Sequence, residues 1–114
     1  MKIDNYSFGS ITINSKIYQK DIIVFPEKVH PNWIRIKGHS LELEDIKEII
    51  DYNPKTLIIG TGAYGSMTVP SSTRDALSKR RIKLLTENTK KACNLFNEHI
   101  KNNIKTVGVF HLTC

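Results

Sequence analysis

Two cysteines, Cys93 and Cys114, are too few for a disulfide framework, so the fold must rest on its own core and a reducing setting is expected. Long hydrophobic runs are missing as well. Ile22-Ile-Val-Phe25 and Leu57-Ile-Ile59 are strand-sized, well short of the roughly 18 residues a membrane span needs, and no membrane partner is expected. The opening Met1-Lys-Ile-Asp-Asn-Tyr-Ser7 has no apolar signal core, which argues against a secretory leader and for a cytoplasmic location. Repeats, linkers and low-complexity tracts are also absent. What remains is one compact domain over residues 1–114, large enough to bury roughly two-thirds of its unfolded surface.

The net charge of +6 is unevenly distributed. Leu41 to Asp51 holds five acids and one base, whereas Ser72 to Lys105 holds nine bases and three acids. A basic half attracts nucleic acid or acidic partners. Few aromatics interleave with these bases, so the solvated face of two helices explains them better, and nucleic acid is not the expected partner.

Hydrophobic patterning predicts strands at about Ile3–Phe8 and Ser10–Asn14 around Gly9. A third strand is predicted over Ile17–Phe25, ended by Pro26, giving an N-terminal antiparallel meander. Period-two alternation predicts a fourth strand over Trp33–Lys37, and a helical stripe runs over Leu43–Tyr52. Thr56–Gly60 reads as a strand covered on both faces. Ser72-Thr-Arg-Asp75 has capping-box spacing for a helix to about Arg80. A strand over Ile82–Leu85 follows, then a helix capped by Thr89 and running to about Lys101, then a strand over Thr106–His111. This order predicts a three-layer α/β domain, with a central mixed sheet and helices covering the later strands.

Gly60-Thr-Gly62-Ala-Tyr-Gly65 matches the spelling of a dinucleotide fingerprint, but the physics of that motif is missing. The fingerprint works because its glycine turn flows into a helix whose N-terminus holds the pyrophosphate. Here Thr68 and Val69 are β-branched and Pro70 biases Val69 away from helical angles, so no helix begins at Gly62. Glu87, the available ribose-binding acid, lies 27 positions beyond Gly60 rather than about 20. No Gly-Lys-Ser/Thr follows the glycines, which also removes a P-loop. No cofactor is expected. The glycines supply positive-φ turns, or a nest of N–H groups able to hold a carboxylate, a phosphate or a partner carbonyl.

Arg35 either pairs with a carboxylate or holds an anion at the sheet edge, with Trp33 in the core. His111-Leu-Thr-Cys114 offers two metal ligands where zinc needs three or four; His39 is the only further candidate, and no metal site is expected. His30 is expected in a loop. Tyr64, at the tip of the glycine loop, is an exposed aromatic suited to a partner contact.

A set of ordered strings resembles a known family: Trp33-x-Arg35 with Gly38-His39, Leu57-Ile-Ile-Gly60-x-Gly62, Val69-Pro70-Ser-Ser-Thr73, Thr89-x-x-Ala92 with Phe96-Asn97, and Gly108-Val-Phe-His111-x-Thr113-Cys114. The chain is similar along its whole length to the small-domain family of the adipogenesis-associated protein and its bacterial and archaeal relatives. A mitochondrial complex I assembly factor is a more distant relative. The resemblance implies a three-layer α/β fold with a central mixed sheet, and no established activity, cofactor or catalytic residue. Arg81 stands where many relatives have glycine, and Phe96 where many have tyrosine.

Two functional expectations follow. The first is a non-catalytic protein-binding or assembly module using the loop through Gly60, Thr61, Gly62, Tyr64 and Gly65. The second is a small anionic-ligand site or enzyme, with Gly60, Thr61 and Gly62 donating N–H groups, Arg35 supplying charge, and His39 or His111 moving protons. Both require the bend beyond Ile59 to share a rim with His39 and His111.

Overall fold

The computed structural model describes all 114 residues. Strands β1 (Ile3–Ser7), β2 (Ser10–Ile13) and β3 (Lys16–Tyr18) form the expected antiparallel meander. Its second hairpin turns on Asn14 (φ 49°) and Ser15 (φ 69°), the paired left-handed conformation that matches strand twist. A second, five-stranded sheet is built from β4 (Ile22–Val24), β5 (Val29–His30), β6 (Thr56–Gly60), β7 (Lys83–Glu87) and β8 (Thr106–Phe110), in the order β5-β4-β8-β6-β7. β6 is parallel to both of its neighbours and β4 is antiparallel to β8, so the sheet is mixed.

The strand expected over Ile17–Phe25 is two strands in two sheets. Gln19-Lys20-Asp21 carries the chain from one sheet to the other, because the Asp21 carboxylate is bonded by the backbone after β8 instead of facing solvent. The strand expected over Trp33–Lys37 does not form. Asn32 is left-handed (φ 55°), and local side-chain bonds replace a ladder: Ile36 N–H donates to Asp45 Oδ1 (3.0 Å), and Arg35 Nε–H donates to Gly38 O (3.1 Å). The alternation correctly marked burial, with Trp33 inside and Ile34 and Ile36 outside. Period two reports which side is wet, not which backbone is paired. His30 lies on β5 rather than in a loop, with its Nδ1 2.6 Å from Glu48 Oε1.

A 3-10 turn (Leu43–Ile46) leads into α1 (Lys47–Tyr52), followed later by α2 (Ser71–Lys79) and α3 (Thr89–Lys101). The capping box expected from Ser72 and Asp75 is absent: Pro70 occupies the cap position, which leaves Ser71 and Ser72 within the first turn. Asn88, not Thr89, caps α3, accepting from Lys91 N–H at 3.0 Å. Thr89 is fully buried and spends its hydroxyl elsewhere. Arg81 takes a left-handed φ of 58° between α2 and β7, a conformation glycine adopts at lower cost.

Strand alternation divides the core into two layers around the sheet. Ile23, Leu57, Ile59, Val107 and Val109 face α1 and α2, where they meet Ile49 and Leu77. Ile22, Val24, Ile58 and Phe110 face α3 and the meander, where they meet Phe96, Cys93, Ile11 and Ile13. The three-layer α/β architecture is therefore as the element order implied, and every residue of β6 is buried. Burial pushes the Cys93 thiol up to about 12, so this sulfur is a core filler.

Candidate functional rim

The sheet register assembles the rim. β4 pairs antiparallel with β8 so that Ile22 lies opposite Phe110, which brings Asp21 beside His111 and Leu112. One Asp21 oxygen, Oδ1, accepts from Leu112 N–H (2.8 Å). The other, Oδ2, accepts from an Arg35 Nη1–H and lies 2.7 Å from His111 Nδ1. A carboxylate facing Nδ1 places the proton on that nitrogen, because Asp21 has only lone pairs to offer. Arg35 Nη2 lies 3.3 Å from the same nitrogen and bonds instead to Gly38 O. Burial of Asp21 favours its neutral form, but the hydrogen bonds from His111, Arg35 and Leu112 outweigh this and hold its pKa below the ordinary carboxylate value. Arg35 also lies over the Trp33 ring, 5.0 Å from its centroid.

His39 closes the group. Its ring meets that of His111 edge-on, with centroids 5.6 Å apart. His111 is buried and its Nε2 has no hydrogen-bond partner, whereas Cys114 is exposed. A cleft of about 520 Å³ opens beside the cluster, lined by Asp21, Trp33, Ile34, Arg35, Gly38 and Leu112.

The glycine loop continues the same rim. Gly60 ends β6 and its carbonyl accepts from His111 N–H (2.9 Å). Gly62 (φ 109°) packs so tightly that an added Cβ would lie 2.9 Å from His111 Cδ2. The bend therefore emerges beside both His111 and His39. Its N–H groups are nonetheless spent inside the chain. Thr61 donates to Glu87 O (2.9 Å) and Gly62 to Thr89 Oγ1 (2.9 Å). Ala63 donates to Thr113 O (2.7 Å), while Tyr64 and Ser66 donate to Cys114 O (3.2 and 3.1 Å). Gly65 and Met67 donate to the loop carbonyls of Gly62 (3.3 Å) and Thr61 (3.0 Å). The residues after β8 thus fill the nest that the anionic-ligand reading requires, and Arg35 is already committed to Asp21 and Gly38.

Tyr64 and Gly65 form the exposed tip. Tyr64 is 79% exposed and sits 6.3 Å, centroid to centroid, from Phe8, itself 57% exposed. Phe8 arrives there because the first meander hairpin is tied to the rim: Gly9 N–H (2.7 Å) and the Tyr6 hydroxyl (2.8 Å) both donate to Leu112 O. Sequence reasoning missed Asp21, Phe8 and Thr89. Only Phe8, an aromatic beside a turn glycine, left a local signal; Asp21 and Thr89 act through partners remote in sequence.

Residues 3–111 match the model of a family described as a protein of unknown function (DUF498/DUF598). The chain belongs to the DUF498 family. Its fold is shared with a conserved hypothetical protein from Pyrococcus horikoshii, at a TM-score of 0.85 and 23% identity over 100% of both chains. A Rhodopseudomonas palustris protein matches at 0.79 and 24% identity, covering 95% of this chain and 80% of the other. A Mth938-like domain from Bordetella pertussis matches at 0.69 and 16% identity, covering 97% and 85%. At these identities the three solved structures show a common fold and leave the rim chemistry to be argued from this chain's own residues.

Proposed function

We propose that this domain is a non-catalytic protein-binding or assembly module whose contact surface is the Tyr64–Phe8 face of the rim. The observation that carries this reading is a pair of exposed aromatic rings, of which Tyr64 stands on a loop whose N–H groups are already bonded within the chain. Rigid aromatics with few rotatable bonds lose little entropy on docking and recur as binding hot spots. The resemblance to the family of the adipogenesis-associated protein, and distantly to a complex I assembly factor, points the same way. Tyr64→Ala is expected to leave the melting temperature unchanged and to weaken binding of the captured partner by about tenfold or more, as loss of a hot spot does. Affinity capture from the native cell identifies that partner, and titration of the purified pair measures the loss. Equal affinity for wild type and Tyr64→Ala would remove the loop from the interface.

One observation favours a second reading, a small-ligand site: the unpaired Nε2 of buried His111, on the rim that also holds the cleft. An anion there would have to draw Arg35 away from Asp21. Phosphates, nucleotides and carboxylates are accordingly expected to raise the melting temperature by less than about 1 °C, and a larger, saturable rise would favour this reading over the first.

A further inference from the structure

β7 is an outer strand of the five-stranded sheet, and its free side is open. The bonds Lys83 N–H to Lys55 O (2.9 Å) and Thr61 N–H to Glu87 O (2.9 Å) fix the phase of its parallel ladder with β6. In that phase Lys83, Leu85 and Glu87 point their backbone groups into β6, whereas Leu84 and Thr86 point theirs outward, where nothing bonds them. Leu84, Leu85 and Thr86 are half-buried rather than covered. Such an edge templates an added strand unless charge or shape prevents it.

The charge pattern along β7 selects the strand. Lys83-Leu-Leu-Thr-Glu87 carries a cation at one end and an anion at the other. Placing a second copy antiparallel about a two-fold axis at Leu85 sets Leu84 opposite Thr86 of the other copy, in the position where narrow antiparallel pairs exchange two hydrogen bonds. The same axis sets Lys83 opposite Glu87 and Leu85 opposite itself on the α3 side, where cross-strand side chains touch. All four outward backbone groups are then bonded, Lys83 gains a carboxylate on each copy, and Glu87 gains a second cation beside Lys91, which lies 3.6 Å away. An acidic segment of another protein would satisfy Lys83 but would set a carboxylate against Glu87. We infer that two copies of this chain associate through β7, joining their five-stranded sheets into one continuous sheet across an isologous two-fold interface. This edge is not the Tyr64–Phe8 face, although its end adjoins the glycine loop: Thr86 and Glu87 line one cleft with Thr61 and Gly65.

Arg74 and Arg81 line the groove on the α2 side of β7, and each copy carries a net charge of +6, so copies repel at long range. Sedimentation velocity is therefore run at about 0.15 M salt or above, where the Debye length is about 8 Å, on the full chain from about 1 μM to about 1 mM. A concentration-dependent dimer is expected for wild type. Lys83→Glu and Glu87→Lys are each expected to weaken it by about tenfold or more, since either one opposes like charges at two symmetric places. The double variant Lys83→Glu/Glu87→Lys is expected to recover affinity to within about threefold. Thr86→Pro removes an outward N–H that the monomer does not use, and is expected to abolish the dimer while circular dichroism remains that of wild type. A chain that stays monomeric throughout the series, or a dimer indifferent to all four variants, would overturn the assignment.

Discussion

Asp21→Ala is expected to lower the stability of the domain by about 3–5 kcal/mol, the cost of removing one partner from a buried charged pair. The side chains of Arg35 and His111 are each only 7% exposed, so loss of the carboxylate strands a guanidinium and an imidazole N–H that water reaches poorly. Leu112 N–H loses its acceptor at the same time, and with it goes the anchor that holds the chain after β8 against the rim. In a domain of this size the loss corresponds to a fall in melting temperature of roughly 10–20 °C, measured by calorimetry at neutral pH. A fall of only 1–2 °C, about the size expected for an exposed pair, would mean that the cluster is dispensable.

The acid limb carries the same information with a definite sign. Asp21 has a folded pKa below its unfolded value, near 3.9, because the hydrogen bonds it accepts outweigh the effect of burial. Its contribution is therefore complete above the unfolded value and is lost as pH falls through the lower, folded one. The stability gap between wild type and Asp21→Asn is expected to be widest near neutrality, unchanged down to about pH 5, and narrowing below about pH 4. Denaturant titrations across that range measure it directly.

Gly62→Ala is the second large effect. The residue sits at φ 109°, a conformation that L side chains rarely adopt, and an added Cβ would overlap the backbone C atom of Cys114 as well as press on His111. Backbone strain of about 1–2 kcal/mol and overpacking of about 1–3 kcal/mol add at this site, giving a loss of about 3 kcal/mol. The damage should also be local. Relieving the overlap moves the chain after β8 outward, which frees the amides of Ala63, Tyr64 and Ser66 from their acceptors. Gly65→Ala is a useful contrast: it shares the positive φ (70°), but an added Cβ would approach only Thr61 Oγ1, at 3.6 Å. It should therefore cost the backbone strain alone.

The contrast between Gly62 and Gly65 shows where sequence stops speaking. The apolar run of β6, its glycine boundary and the β-branched residues before Pro70 were enough to locate the loop and to place the next helix downstream of Pro70, where α2 begins at Ser71. They could not show that the loop's donors would be used up, because most of the acceptors, the backbone oxygens of Glu87, Thr113 and Cys114 and the Thr89 hydroxyl, are remote in sequence from the loop. Arg35, His39 and His111 were legible as residues of one rim. Asp21, which organises them, was not, since its role depends on the register of Ile22 against Phe110. Backbone pairing misled in the same way at Trp33–Lys37: alternation located the buried tryptophan, while the bonds to Asp45 and Gly38 that keep the segment out of the sheet come from side chains. Period and composition report burial, and burial is what they recovered here.

Amide hydrogen exchange of the free protein, resolved at Ala63, Tyr64 and Ser66, tests the central claim most directly. The claim is that this loop is a preformed aromatic platform and not an open anion nest. The account predicts that all three amides are protected at neutral pH, that added phosphate leaves their rates unchanged, and that Gly62→Ala releases them. Exchange at the rate of an unstructured peptide, slowed when phosphate is added, would contradict it.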